Sequence, residues 1–358
     1  MRFAGGIAFI VIAPMGIREN VPLAPLTTLG VGGDARFFAK AETSRDVEAA
    51  VTYSQSQDIP LFVLGGGSNV LISDEGWSGL VLQIAIPGIE EAAPGKFSVG
   101  AGVDWDSFVE HCVARDYAGI ECLSGIPGSV GGTPVQNVGA YGQEVSEAIT
   151  SVQAFDLREN RVRDLAATEC GFSYRTSIFN TSQRGRFIIL RVTYALQPDG
   201  KPNLQYADLQ KYFAGQNNPS LAEVRAAVRT IRTSKGMLIS PGDPDSRSAG
   251  SFFKNPVLTQ SQHQELVRLA TAGGLEVPSY PALEQHHKVS AAWLVEHSGF
   301  QKGYVRGRAG ISSKHALALV NRGGATAEEI VALQEEIQAA VSRTWGIHLD
   351  PEPIRVGF

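Results

Sequence analysis

The feature that most constrains this chain is one glycine-dense run, Gly125-Ile126-Pro127-Gly128-Ser129-Val130-Gly131-Gly132-Thr133-Pro134-Val135-Gln136-Asn137-Val138-Gly139-Ala140-Tyr141-Gly142. So much glycine exceeds what a surface turn needs, and backbone without Cβ atoms can lie close against another group. Ser129, Thr133, Gln136 and Asn137 are interleaved with the glycines and could hydrogen-bond the edge of a flat heterocycle. The plainer reading is a loop packed tightly on a neighbouring helix.

A second cluster stands upstream, Leu64-Gly65-Gly66-Gly67-Ser68-Asn69-Val70-Leu71-Ile72. An apolar strand enters three glycines and leaves as another β-type run. Consecutive glycines let backbone N–H groups converge on an anion. The pattern is not the dinucleotide fingerprint, because its third glycine would fall at Val70 and no helix opens there. It is not a Walker loop either, since the lysine is absent. The loop fits a pyrophosphate cradle reached from strand to strand, or an ordinary glycine hairpin.

Around these loops the chain alternates strands and helices. Arg36 to Ala39, Leu61 to Leu64, Leu80 to Ile84, Phe97 to Val99, Ser151 to Leu157 and Phe187 to Leu196 read as strands. Thr43 and Asp46 form a capping-box signal ahead of Val47, Ala50 and Val51, which share a helical face. Trp105, Phe108, Val109, Cys112 and Val113 have helical spacing. Residues 197–220 carry turn and linker signals around Pro198, Gly200, Pro202 and Pro219. Ser220 and Glu223 then cap a helix bearing Val224, Ala227, Val228 and Ile231. A Gly-, Pro-, Asp- and Ser-rich loop runs from Gly236 to Gly250. A last long helix starts at Thr326 and Glu329, carries Ile330, Leu333, Ile337 and Val341, and ends at Gly346. The sum is an α+β chain in three lobes, 15–90, 91–215 and 220–348, with a short tail at 349–358.

With 31 basic and 36 acidic residues the net charge is −5, and no basic stripe appears, so phosphate-backbone binding to nucleic acid is not expected. Cys112, Cys122 and Cys170 form no C-x-x-C pair, and an odd count suits a reducing cytoplasm. No histidine sits at zinc-ligand spacing with them, so no metal site is expected. The apolar stretch Ile7 to Ile12 is too short to span a bilayer. It has the look of a secretion signal's core, but no clear small-residue cleavage site follows. The other reading takes Met15 as the start.

Three later segments stand out. Phe172-Ser173-Tyr174-Arg175-Thr176-Ser177-Ile178-Phe179 holds an arginine whose planar fork could clamp a carboxylate. Ser248-Ala249-Gly250-Ser251-Phe252-Phe253-Lys254-Asn255-Pro256 sets a serine before two aromatics, though not in a nucleophile elbow. Leu349-Asp350-Pro351-Glu352-Pro353-Ile354-Arg355 fixes a carboxylate between prolines. Singly these read as a strand residue, a turn serine and a solvated tail carboxylate.

Taken in order, the two glycine clusters and the three segments resemble the UDP-N-acetylenolpyruvoylglucosamine reductase family, from about residue 20 to 355. The resemblance implies a vanillyl-alcohol-oxidase/CO-dehydrogenase-like (PCMH-type) two-lobed FAD domain plus a smaller α+β substrate domain. It further implies that the tail returns to the FAD domain as a strand. Gly65, Gly66, Gly67, Ser68, Asn69, Gly125, Ile126, Gly128, Ser129 and Gly132 would contact FAD, supported by Gln136, Asn137 and Gly139. Ser251 would protonate substrate C2, with Arg175 and Glu352 flanking the substrate carboxylate. Tyr174, Tyr206, Lys235, Asn255 and Tyr280 would meet the nucleotide sugar, Tyr206 from a covering loop. NADPH is the implied reductant, and a cytoplasmic monomer away from membranes is expected. One departure is the Pro353-Ile354 pair, which sets Arg355 one step late in the family's terminal motif and leaves it outside the site.

Two other classes of protein share parts of this pattern. An FAD oxidase of the same superfold, acting on an alcohol or sugar, often tethers its flavin through His or Cys, and no histidine lies in either glycine cluster. A non-catalytic nucleotide-sugar-binding protein would keep the glycines but lose Ser251, Arg175 or Glu352, and all three are present.

Overall fold

The computed structural model describes residues 16–216, 218–240, 242–282 and 285–358. The expectations about residues 1–14 and Met15 lie outside the described residues.

The first lobe is a four-stranded sheet. Arg18–Pro22 runs antiparallel to Asp34–Ala41, which is parallel to Trp77–Ile84, which is parallel to Leu61–Leu64. The helix Ser44–Ser56 crosses between strands, and its start carries the expected reciprocal Thr43–Asp46 cap. The second lobe is a five-stranded antiparallel sheet ordered Arg161–Ala166, Ile149–Asp156, Phe187–Ala195, Lys96–Gly100, Ile89–Ala93. Its strands are apolar on the face that meets the first lobe. Val47, Ala50 and Val51 of the first helix share one buried core with Val152, Leu190 and Val192 of this sheet. Burying that continuous apolar surface is what fixes the two glycine-bearing lobes against each other.

Later residues, from Phe252 to Leu349, build a third unit around the helix Ala327–Trp345, capped by Thr326 and Glu329 and closed at Gly346 with φ +66. The helix Leu221–Ser234, expected in this unit, instead packs on Cys122 and Tyr141 of the second lobe, because its apolar face finds its core there. Ile330, Leu333, Ile337 and Val341 bury the spaced face against Phe252, Phe253, Leu266 and Leu294. Leu29, Val31 and Leu71 of the first lobe join the same core. Asp74 of the first lobe accepts from the Ala327 and Glu328 amides at 2.8 and 3.0 Å, satisfying orphan donors at that helix's start.

Residues 197–220 are more ordered than their turn signals suggest. The helix Ala207–Tyr212 forms there because Leu209 and Phe213, four apart, bury together against Val224, Ala227 and Val228 of the helix Leu221–Ser234. The helix Gln260–Ala272, absent from the sequence reading, opens with a Thr259–Gln262 capping box of the same kind as the ones recognised elsewhere. Its apolar stripe is thin, with only Leu266 and Ala270 buried, which hides its periodicity.

Candidate active site

The two glycine clusters meet backbone to backbone. A Cβ on Gly66 would lie 2.6 Å from the Gly128 Cα, so residue 66 cannot carry a side chain without parting the loops. They wall one side of a cavity of about 1260 Å³ that extends to the third unit. Gly65, Gly66, Gly67, Ser68, Asn69, Ile126, Gly128, Ser129 and Gly132 all line it.

Gly125 does not. Its N–H donates to Asp106 Oδ1 at 2.6 Å and its carbonyl accepts from Arg232 Nε at 3.0 Å. Asp106 is held in turn by Arg225 at 2.5 Å and by Arg229. This glycine, at φ +72, is a strut tying the loop to the helix Leu221–Ser234.

The opposite wall comes from the third unit and the C-terminus. The segments carrying Ser251 and Glu352 lie antiparallel, with Phe253 bridged to Pro351. The Glu352 amide donates to the Phe252 carbonyl at 2.8 Å, and the Lys254 amide to Asp350 at 2.9 Å. Beyond Glu352 the chain forms the strand Ile354–Val356, parallel to Val70–Ile72, which follows directly from the first glycine loop. Asn69 is the rivet: its Nδ2 donates to Gln136 Oε1 at 2.6 Å and to the Glu352 carbonyl at 3.2 Å. Both glycine loops and the tail backbone at Glu352 thus share one side-chain amide.

Arg175 reaches the same place from the second lobe. Its Nε lies 3.5 Å from Glu352 Oε1, an ion pair without a hydrogen bond's alignment. The sequence reading gave this arginine a free fork. In the structure Nη2 donates to the Gly139 carbonyl at 2.7 Å and Nη1 to the Asn137 carbonyl at 3.5 Å, so the Nε edge is the one turned to Glu352. The Glu352 side chain is 12% exposed. Burial raises its pKa above the ordinary carboxylate value, and the opposing pull of Arg175 and Lys254 does not cancel this.

The residues expected at the nucleotide sugar form a second group. Tyr206, Lys235, Asn255 and Tyr280 line the cavity, while Tyr174 lies behind it under Arg175. Tyr206 and Tyr280 are 42% and 58% exposed, as residues at a mouth would be. Tyr206 packs edge-on against Tyr141 at 5.4 Å. Lys235 is paired with Asp208 at 2.6 Å. Asn255 Oδ1 accepts from the Ala291 amide at 2.9 Å, capping the helix Ala291–Glu296. Arg355, expected outside the site, lines the cavity while its guanidinium pairs with Glu335 at 3.2 Å.

Sequence reasoning missed several lining groups. Lys288, on the strand His287–Val289, holds its ammonium 4.9 Å over the Tyr174 ring. Arg184, Arg232 and His315 also face the cavity. Burial, aided by Lys235 and Lys302, pulls His315 down to about 4, so it is neutral at physiological pH. None sits in a distinctive motif; of the other lining cations, Lys254 and Arg355 lie within segments already singled out.

The residues present fit FAD. A Cβ on Gly132 would meet no protein atom within 4 Å, so the wall there stays open to the cavity, and Ser129 Oγ is buried on the cavity with no hydrogen-bond partner. A buried hydroxyl left unsatisfied in a polar cradle matches a ligand's polar atom. Among the described residues no cluster of three or more His, Cys, Asp or Glu could hold a metal ion, and no helix is long and apolar enough to cross a membrane.

Residues 35–165 match a family model described as an FAD binding domain. With the paired glycine loops, that defines the class: an FAD-dependent oxidoreductase. Residues 243–356 match the model of the UDP-N-acetylenolpyruvoylglucosamine reductase C-terminal domain. A UDP-N-acetylenolpyruvoylglucosamine reductase of Thermobifida fusca is 45% identical over 351 residues, spanning 95% of this chain and 98% of the relative. One from Streptomyces avermitilis is 44% identical, spanning 95% and 94%. The crystal structure of the Thermus caldophilus reductase superposes with a TM-score of 0.67 at 26% identity, over 95% of this chain and 99% of that one. The chain belongs to the UDP-N-acetylenolpyruvoylglucosamine reductase family, as its motifs suggested, and the oxidase reading gives way.

Proposed function

We propose that this protein reduces UDP-N-acetylglucosamine enolpyruvate to UDP-N-acetylmuramate with NADPH through bound FAD, as a cytoplasmic monomer serving peptidoglycan synthesis. The observation that carries this reading is the convergence of Ser251, Glu352 and Arg175 on one cavity walled by both glycine loops.

FAD, when bound, supplies the hydride received from NADPH. The substrate is an enol ether conjugated to a carboxylate, so hydride addition at C3 builds negative charge on C2 and the carboxylate. Arg175, half-buried and fixed by two loop carbonyls, stabilises that charge without reorganising. Ser251 delivers the proton to C2; its hydroxyl is a weak acid, but an enolate carbon is a strong base. Glu352 beside a developing anion would repel it if ionised. Burial raises its pKa, and in its protonated form the carboxyl can donate a hydrogen bond instead. Tyr206, Lys235, Asn255 and Tyr280 hold the nucleotide sugar, with Lys235 exchanging Asp208 for a phosphate.

The test is anaerobic. The purified protein should carry a flavin spectrum that NADPH bleaches and the enolpyruvyl substrate restores, with UDP-N-acetylmuramate detected by mass spectrometry. A flavin that stays bleached until oxygen enters would refute the reading.

A further inference from the structure

Arg175 has φ +54, in the left-handed region that an arginine adopts only when its surroundings impose it. It occupies a tight turn in which the Ser173 and Thr176 backbones exchange hydrogen bonds, both 3.0 Å. One side chain spans the strained peptide from outside. Asn180 Nδ2 donates to the Arg175 carbonyl at 3.1 Å, and Asn180 Oδ1 accepts from the Ser177 amide at 2.9 Å. At the turn's other end Asn137 Nδ2 donates to the Ser173 carbonyl at 3.1 Å.

We propose that Asn180 is a positioning residue for Arg175, its amide holding the residue-175 backbone in the left-handed conformation that turns Nε toward Glu352. The inference rests on the function proposed above. The physical argument is one of direction. The φ of residue 175 sets where its Cα–Cβ bond points, and the fork's anchors on Asn137 and Gly139 are reached only from there. With the Arg175 carbonyl freed, the turn relaxes toward negative φ, and the guanidinium leaves the Gly139 carbonyl and the 3.5 Å contact with Glu352. Displacements of this size at a charge-stabilising group cost rate rather than binding. Asn180 lines the cavity itself, so its position is compatible with such a role.

The experiment uses the flavin-loaded enzyme. Asn180→Ala should retain flavin while substrate-driven reoxidation slows about tenfold or more. The loss should fall on kcat with KM little changed, and a crystal structure should show residue 175 at negative φ. Asn180→Asp is the second variant, for use if the alanine does not fold. It keeps the acceptor for Ser177 but turns an oxygen on the Arg175 carbonyl, so it should be as slow. In an Arg175→Lys background, where no fork is left to aim, Asn180→Ala should cost less than about twofold. Equal losses in both backgrounds would mean general destabilisation and overturn the proposal, as would φ remaining positive in the variant. Should the wild type itself fail to turn over the enolpyruvyl substrate, the function reading falls, and the φ of residue 175 in Asn180→Ala alone decides the positional claim.

Discussion

The Glu352 amide donates to the Phe252 carbonyl at 2.8 Å, so the residue after Ser251 and the tail carboxylate are locked in register across a hundred residues of sequence. Phe252 is itself fully buried in the third unit's core. Phe252→Ala should therefore cost about 3–5 kcal/mol of stability, the range for removing a buried phenylalanine. It should also slow turnover at temperatures where the variant stays folded. Thermal unfolding followed by assay separates the two effects; unchanged turnover in the folded variant would show that the Phe252 side chain is not needed to hold the register.

Two glycines of the cradle make opposite predictions. Gly66→Ala drives a Cβ into the Gly128 backbone, so even flavin-free protein should lose at least about 2 kcal/mol. A Cβ on Gly132 meets no protein atom within 4 Å and opens into the cavity. Gly132→Ala should leave the flavin-free protein as stable as wild type yet weaken flavin binding. Denaturant melts with and without added FAD distinguish the cases. Equal behaviour of the two variants would argue against the cradle.

Glu352 should mark the pH dependence of stability. Its folded pKa is raised by burial, so the folded state binds the proton more tightly than the unfolded chain. That contribution is fully present below the ordinary glutamate value of 4.5 and is lost as pH rises through the raised folded value. Glu352→Gln removes the titration. The variant should gain stability relative to wild type as pH rises through that window while losing activity. A stability difference flat with pH would mean that Glu352 is not perturbed.

Asp106 should matter to the loop although it lies outside the cavity. It holds the Gly125 N–H together with Arg225 and Arg229. Asp106→Ala strands the Gly125 N–H and leaves Arg225 only its 3.8 Å contact with Glu110, and should cost about 2 kcal/mol, a charged hydrogen-bond effect, with faster flavin release. Flavin fluorescence on dilution reads the release; an unchanged rate would make the strut dispensable.

Much of the molecule was legible in the sequence because its signals are local. Thr43–Asp46, Ser220–Glu223 and Thr326–Glu329 are reciprocal caps in the structure, and the β-branched runs expected at 151–157 and 187–196 form strands that end one residue earlier, at Asp156 and Ala195. The glycine loops were visible because only close backbone contact explains such composition. What escaped depends on distance in the chain. Nothing near Asn69 foretells its bond to Glu352, 283 residues away. Lys288 and His315 carry no motif and reach the cavity only because the third unit folds onto the first lobe. The engagement of Arg175 by the Gly139 carbonyl was likewise unreadable, since it depends on a backbone conformation that an arginine does not adopt by preference.

The most direct measurement is stopped-flow of the two half-reactions in wild type and Ser251→Ala, both flavin-loaded and anaerobic. If Ser251 gives the proton to C2, flavin reduction by NADPH should keep its rate within about twofold. Reoxidation by the enolpyruvyl substrate should fall by at least about a hundredfold, the usual worth of a positioned proton donor. Reoxidation at the wild-type rate in Ser251→Ala would contradict the assignment and move the proton source elsewhere in the cavity.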